Sequence, residues 1–96
     1  MTRVLLRVAA DHPSASGHFP GNPIVPAALL LDEIVAAIER VHARSGSELV
    51  VKWAKFLRPV RPGDALTLEF TQVAGGDILF QCRADALEVI AGLVQA

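Results

Sequence analysis

At 96 residues with a formal net charge of −1, the chain has the length of one small domain and lacks the charge excess that holds nucleic acid or anionic lipid. Hydrophobic residues make up 52% of it; a domain this small buries only part of its surface, so that much apolar residue predicts an interface with another subunit, in a homodimer or an oligomer of dimers. Cys82 is the only cysteine, which excludes an intrachain disulfide and points to a reducing compartment.

The N-terminal residues carry no long apolar run of the kind a secretory signal needs. The longest apolar run, around Ile24 to Leu31, falls short of the roughly 20 residues that span a bilayer. The expectation is a single domain over residues 1–96, cytoplasmic, without a membrane span.

Residues 2–10 read as a strand, with Val4, Leu6 and Val8 on one face and Arg3 and Arg7 on the other. A loop follows from Asp11, and then a stretch rich in proline and glycine, Gly17-His18-Phe19-Pro20-Gly21-Asn22-Pro23-Ile24-Val25-Pro26. Pro26 suits a helix start, where a missing N–H costs nothing. The pattern then predicts a helix from residue 26 or 27 to 43. Leu30, Leu31, Ile34, Val35, Ile38 and Val41 give it a broad apolar face, and Asp32, Glu39 and Arg40 form a narrow polar stripe. A helix with so little polar surface is mostly buried.

Residues 48–58 read as a second strand, and Arg58-Pro59-Val60-Arg61-Pro62-Gly63-Asp64 as a turn-rich break. Residues 65–73 alternate, with Leu66, Leu68 and Phe70 inward and Thr67, Glu69 and Thr71 outward. Gly75-Gly76-Asp77 signals a hairpin. Residues 78–84 place Ile78, Phe80 and Cys82 on one face, Asp85-Ala86 makes a tight turn, and residues 87–95 form the last strand. One strand, one long helix and four strands joined by short turns predict an α+β fold, an antiparallel sheet of about five strands wrapped around a central helix.

Several side chains invite a chemical reading. His18 sits in a rigid loop directly before an apolar helix, and a neutral imidazole is a suitable base near pH 7. Asp32 is an acid one turn inside that helix; its plain alternative is the start of the solvent stripe that Glu39 and Arg40 continue. Glu33 reads as solvent-exposed or as an interface ion-pair partner, and His12 and His42 as surface residues. Cys82 reads as core, and Trp53 as packing or interface. Lys52, Lys55, Arg58 and Arg61 cluster along one strand and its following turn, either as a solvated edge or as a docking patch.

The segment His18-Phe19-Pro20-Gly21-x-Pro23-Ile24-x-Pro26, followed by Asp32, resembles the signature of the 3-hydroxyacyl-acyl-carrier-protein dehydratases. The resemblance continues in Lys55-Phe56-x-x-Pro59-Val60-x-Pro62-Gly63-Asp64-x-Leu66, in the order the family has it. It implies a hot-dog fold and dehydration of a 3-hydroxyacyl thioester to the trans-2-enoyl thioester, in fatty-acid or in polyketide- or polyene-type lipid synthesis. It implies His18 and Asp32 as the catalytic pair, assembled across a dimer interface. Gly21, Pro26, Ala27, Ala28 and Phe19 would contact the substrate, which acyl carrier protein or coenzyme A delivers. The basic residues Lys52, Lys55, Arg58 and Arg61 would meet the acidic carrier. The chemistry requires no metal and no other cofactor. Ala27 stands where the family has glycine, and Ala36 where many members have glutamine. Two other readings remain open. One is a hot-dog thioesterase, in which Asp32 or Glu33 would activate water. The other is a non-catalytic subunit of a synthase complex.

Overall fold

The structure is a computed structural model and describes residues 1–7, 24–42 and 49–95. Five strands and one helix occur in the order β1 (Thr2–Arg7), α1 (Ala27–His42), β2 (Val50–Phe56), β3 (Ala65–Gln72), β4 (Ile78–Ala84) and β5 (Leu87–Gln95). They form one sheet in the order β1-β3-β4-β5-β2, and every neighbouring pair is antiparallel. Each expected element is present within a few residues of its predicted bounds. The predicted continuation of β1 through residues 8–10 lies outside the described residues.

The last three strands follow from their turns. Val73 and Asp77 close the β3–β4 connection with a 2.7 Å backbone hydrogen bond, and Gly75 and Gly76 inside it have φ of 85° and 88°, values that suit residues without a β-carbon. Asp85 takes φ 55° in the β4–β5 turn, a left-handed conformation that aspartate tolerates better than most residues. The break after β2 closes when Asp64 accepts a hydrogen bond from the Arg61 amide on its carboxylate, at 2.9 Å, and donates its own amide to the Arg61 carbonyl.

The two-residue period sets the faces. Inward residues Leu66, Leu68, Ile78, Phe80, Cys82, Ile90 and Val94 are fully buried, and they join Leu30, Ile34, Ala37 and Ile38 of α1 in a single core. Two details of the expected pattern are corrected. Val41, on the last turn of the helix, is 47% exposed rather than part of its buried face. Glu69 faces outward as its register requires but is only 5% exposed. Arg3 on β1 and Arg83 on β4 lie over it from either side, and both guanidinium groups donate to its carboxylate.

The two sheet edges differ. Edge strand β1 has six residues and turns Arg3, Leu5 and Arg7 outward. Edge strand β2 leaves Val50, Trp53 and Phe56 substantially exposed. Charge on a short edge discourages pairing with another chain, whereas exposed apolar residues on an unpaired edge invite it.

Candidate active site

Helix α1 begins where Pro26 stops being able to donate. Its carbonyl accepts the Leu30 amide at 3.1 Å, so Pro26 closes the first turn from outside. The amides of the first turn have no partner within a helix and carry the positive end of its dipole. Ala27 and Ala28, in that turn, are exposed.

A groove of about 480 Å³ runs beside this helix end. Ile24, Pro26, Ala27 and Leu30 line its helix side, and Phe56, Leu57 and Arg58 its other side. Two backbone features bring the walls together. Val25 donates its amide to the Val60 carbonyl at 2.7 Å, which clamps the residues before the helix to the segment after β2. Val89 is the extra residue of a bulge, since Cys82 pairs with Ile90 and Arg83 with Glu88. Its carbonyl accepts both Leu57 N, at 2.9 Å, and Arg58 N, at 3.4 Å. The groove wall is therefore held from the core outward. Val25 and Val60 are buried beneath it, while Phe56 and Leu57 remain 44% and 42% exposed.

The structure places the expected site residues unequally. His18, Phe19 and Gly21 lie outside the described residues, as does His12. Pro26 and Ala27 line the groove, and Ala28 follows them on the exposed side of the helix. Asp32 is exposed, and Glu33, read as solvent-exposed or as an interface partner, is half-buried. Asp32 lies on the helix face turned away from Ile34 and Ile38. Cys82 is core as expected, and burial pushes its thiol up to about 11. Trp53 pairs with Leu93 and shares its outward face, apart from the groove lining.

The four cations do not act alike. Lys52 is exposed and ion-paired to Asp77 at 2.7 Å. Lys55, Arg58 and Arg61 are exposed and form no ion pair among the described residues. The sequence reading missed Phe56 and Leu57 as groove residues. Two adjacent bulky apolar residues at the end of an edge strand were the available signal. A second hollow, of about 230 Å³, lies against Glu69, Thr71, Leu79 and Gln81, and none of the described candidate residues lines it.

Among the described residues, no group of three or more His, Cys, Asp or Glu is placed to hold a metal ion. Among them, too, no helix is long and apolar enough to cross a membrane.

A helix wrapped by one antiparallel sheet, with a groove at the helix start, defines the hot-dog class of proteins, and the solved structures agree. The chain superimposes on a subunit of the dehydratase heterocomplex ApeI:P from Xenorhabdus doucetiae with a TM-score of 0.80, at 21% identity, over 97% of this chain and 83% of that one. An uncharacterised protein from Erwinia carotovora subsp. atroseptica matches at 26% identity and a TM-score of 0.78, over 97% and 79%. The thioesterase FlK has the same fold, with a TM-score of 0.71 at 11% identity, over 98% of this chain and 84% of FlK.

At the level of family, the sequence model of the ApeI-like proteins, ApeI dehydratase, matches residues 1–92. The chain belongs to the ApeI-like dehydratase family. It is also 34% identical over 74 residues to the 3-hydroxyacyl-acyl-carrier-protein dehydratase FabZ of Haemophilus influenzae, covering 69% of this chain and 50% of FabZ. To FabZ of Chloroflexus aggregans it is 41% identical over 70 residues, covering 65% and 48%. The chain spans about half the length of these curated relatives.

Proposed function

We propose that this protein is a cytoplasmic enzyme that removes water from a 3-hydroxyacyl thioester carried on acyl carrier protein, giving the trans-2-enoyl thioester for fatty-acid or polyketide- or polyene-type lipid synthesis. The observation that carries most weight is the family match over residues 1–92, because it spans both the His18 loop and the groove at the helix start.

In this reading His18 takes the C2 proton. The C2–C3 double bond forms as the C3–oxygen bond breaks, and the hydroxyl leaves as water with a proton from Asp32 of the partner subunit. The proton on the imidazole then returns to the carboxylate, so the enzyme ends as it began. Negative charge developing on the thioester oxygen is met by the amides of the first helical turn, at Ala27 and Ala28, and by the dipole behind them. Gly21 and Phe19 complete the substrate contacts, and Pro26 sets the direction in which those amides point.

The apolar outer edge of β2 supports a homodimer joined there, β2 against β2. Such pairing would cover Trp53 and Phe56 and bring an exposed acid such as Asp32 to a second subunit. Lys55, Arg58 and Arg61 supply three free cations for an acidic carrier. Because one family-related structure is a heterocomplex, the partner subunit is tested as well as the reaction.

Purified protein is incubated with 3-hydroxyacyl-carrier protein and, separately, with a saturated acyl thioester, while its mass is measured in solution. The expected result is enoyl thioester from the first substrate, no free thiol from the second, and a homodimer. Thiol release from the saturated substrate without enoyl formation would instead make the protein a thioesterase, an activity the fold also supports. Inactivity as a pure protein, relieved by a second hot-dog subunit, would replace the homodimer with a heterodimer.

A further inference from the structure

Strand β2 has a short free edge that is closed at both ends. Among the described residues, β5 is its only neighbour in the sheet. The amide and carbonyl groups of successive residues point alternately to the two sides of a strand. The Leu57 amide goes to Val89 of β5, and the Trp53 carbonyl also points that way, 2.7 Å from where a β-carbon on Gly92 would lie. Trp53, Lys55 and Leu57 are thus committed to β5, and Ala54 and Phe56 turn their amides and carbonyls to the free side. Toward the N-terminus this run stops at a bulge: Lys52 is the extra residue between Val51, opposite Val94, and Trp53, opposite Leu93. Toward the C-terminus it stops because the Arg58 amide, too, turns to Val89, at 3.4 Å.

We propose that a second copy of the chain pairs with this edge about a two-fold axis at Lys55, which sets Ala54 of each chain opposite the partner's Phe56. The inference rests on the homodimer read above, whose site is complete only with the partner's Asp32, and it supplies the register of that pairing. Opposite residues in a ladder share a face, so an axis that keeps both helices on one side of the sheet must bring free residues opposite free residues. An axis at Ala54 would set Phe56 against the bulge at Lys52. An axis at Phe56 would set Ala54 against Arg58, whose amide is already taken. Only the axis at Lys55 gives Ala54 and Phe56 of both chains a partner. The side chains agree with it. Small Ala54 meets large Phe56, and Trp53 meets the partner's Leu57, so that the exposed apolar residues of this edge cover one another. Lys55 then stands opposite itself, and like charges in that position repel. Both ammonium groups are exposed, and water screens them.

Disulfide trapping reads the axis. A residue opposite itself in a pair without direct hydrogen bonds has its α-carbons about 4.5 Å apart, a separation that a disulfide spans. Lys55→Cys replaces an exposed side chain, so it is expected to fold, which circular dichroism checks. On mild oxidation it should give a covalent dimer whose yield does not fall on dilution. Cys82 is buried and does not compete. Ala54→Cys and Phe56→Cys, at the axes of the two other registers, should stay unlinked. In the double variant Trp53→Cys, Leu57→Cys, each new thiol should link to the other position in the partner, as peptide mass spectrometry would show; within one chain the two lie about 13 Å apart along the strand. Linkage at position 54 or 56 in place of 55 overturns the inference. So does a dimer that none of these variants links, and a wild-type protein with the mass of one chain overturns it together with the homodimer. The links report geometry alone, and the proposed reaction is judged separately by enoyl formation. Linkage at position 55 in a protein whose parent forms no enoyl product would sink the reaction and leave the register standing.

Discussion

Gly92 lies directly beneath the ring of Phe80, its partner across the β4–β5 ladder. A β-carbon at position 92 would overlap that ring and stand 2.7 Å from the Trp53 carbonyl oxygen on the other side. The ring could turn only by displacing a fully packed core, and the carbonyl belongs to the backbone of β2. Gly92→Ala is therefore expected to destabilise the fold by about 1–3 kcal/mol, the usual range for overpacking. Urea unfolding would measure it. Phe80→Leu in the same chain should recover part of the loss, since the two residues share one space. An alanine variant as stable as the parent would show that the clash is relieved elsewhere.

The Glu69 carboxylate gives a second stability prediction. It is buried and accepts from two guanidiniums, whereas Arg3 is 63% exposed and Arg83 about one-third exposed. Removing the exposed partner should matter little, because water replaces it: Arg3→Ala is expected to cost less than about 1 kcal/mol. Glu69→Ala should cost more, about 2–3 kcal/mol, since it removes both charge-assisted hydrogen bonds and leaves Arg83 half-covered without a partner. Thermal unfolding of the two variants in parallel checks the order. Equal losses would mean that the carboxylate contributes through Arg3 alone.

These two sites also show what the sequence makes legible. Strand and helix limits could be read because the period of Leu66, Leu68 and Phe70, or of Leu30, Ile34 and Ile38, is a local property. The hot-dog fold could be read because two motifs recur in family order. The burial of Glu69 could not, since it depends on Arg3 and Arg83, which are 66 and 14 residues away in sequence. Alternation says which way a side chain points, not what lies over it. The same limit hid the groove: Leu57 and Ile24 line it together where Val25 is bonded to Val60 and Val89 bulges to hold Leu57. The exposure of Asp32, by contrast, was legible, because it shares a polar stripe with Glu39 and Arg40 and all three are exposed. His18 lies in a segment outside the described residues, so its assignment stands on motif and chemistry.

Cys82 supplies a pH prediction. Burial holds its thiol neutral, raising it from its usual value near 9 to about 11, against a smaller opposing effect of a backbone hydrogen bond at Arg83. The sign follows from proton counts. Below pH 9 the folded and unfolded chains both keep the proton. Between about 9 and 11 the unfolded chain loses it and the folded chain does not, so stability falls as pH rises, by about 2–3 kcal/mol at the upper end. With no tyrosine in the sequence, the other groups titrating in that range are few. The slope of unfolding free energy against pH should flatten in Cys82→Val. In the folded parent the thiol should also resist alkylation at pH 8, and fast labelling there would show that the strand opens.

The proposed catalytic pair makes the sharpest prediction, because its two members would belong to different subunits. His18→Ala and Asp32→Asn should each abolish enoyl formation while leaving the fold intact: Asp32 is exposed in its own chain, and the sequence sets His18 among prolines and glycines rather than in an apolar periodic segment. Within one dimer, either variant alone disables both sites. A mixed dimer of the two variants differs. One of its sites would combine both substitutions, and the other would combine an intact His18 from one protomer with an intact Asp32 from its partner. Unfolding the two inactive variants together and refolding them as a mixture should therefore restore activity, whereas refolding each alone should not. The assay needs no estimate of absolute rate. Recovery in the mixture requires that a working site be assembled from two chains, so a mixture as inactive as its components would place histidine and acid in the same subunit. It would also remove the reason for leaving Asp32 exposed at the helix surface.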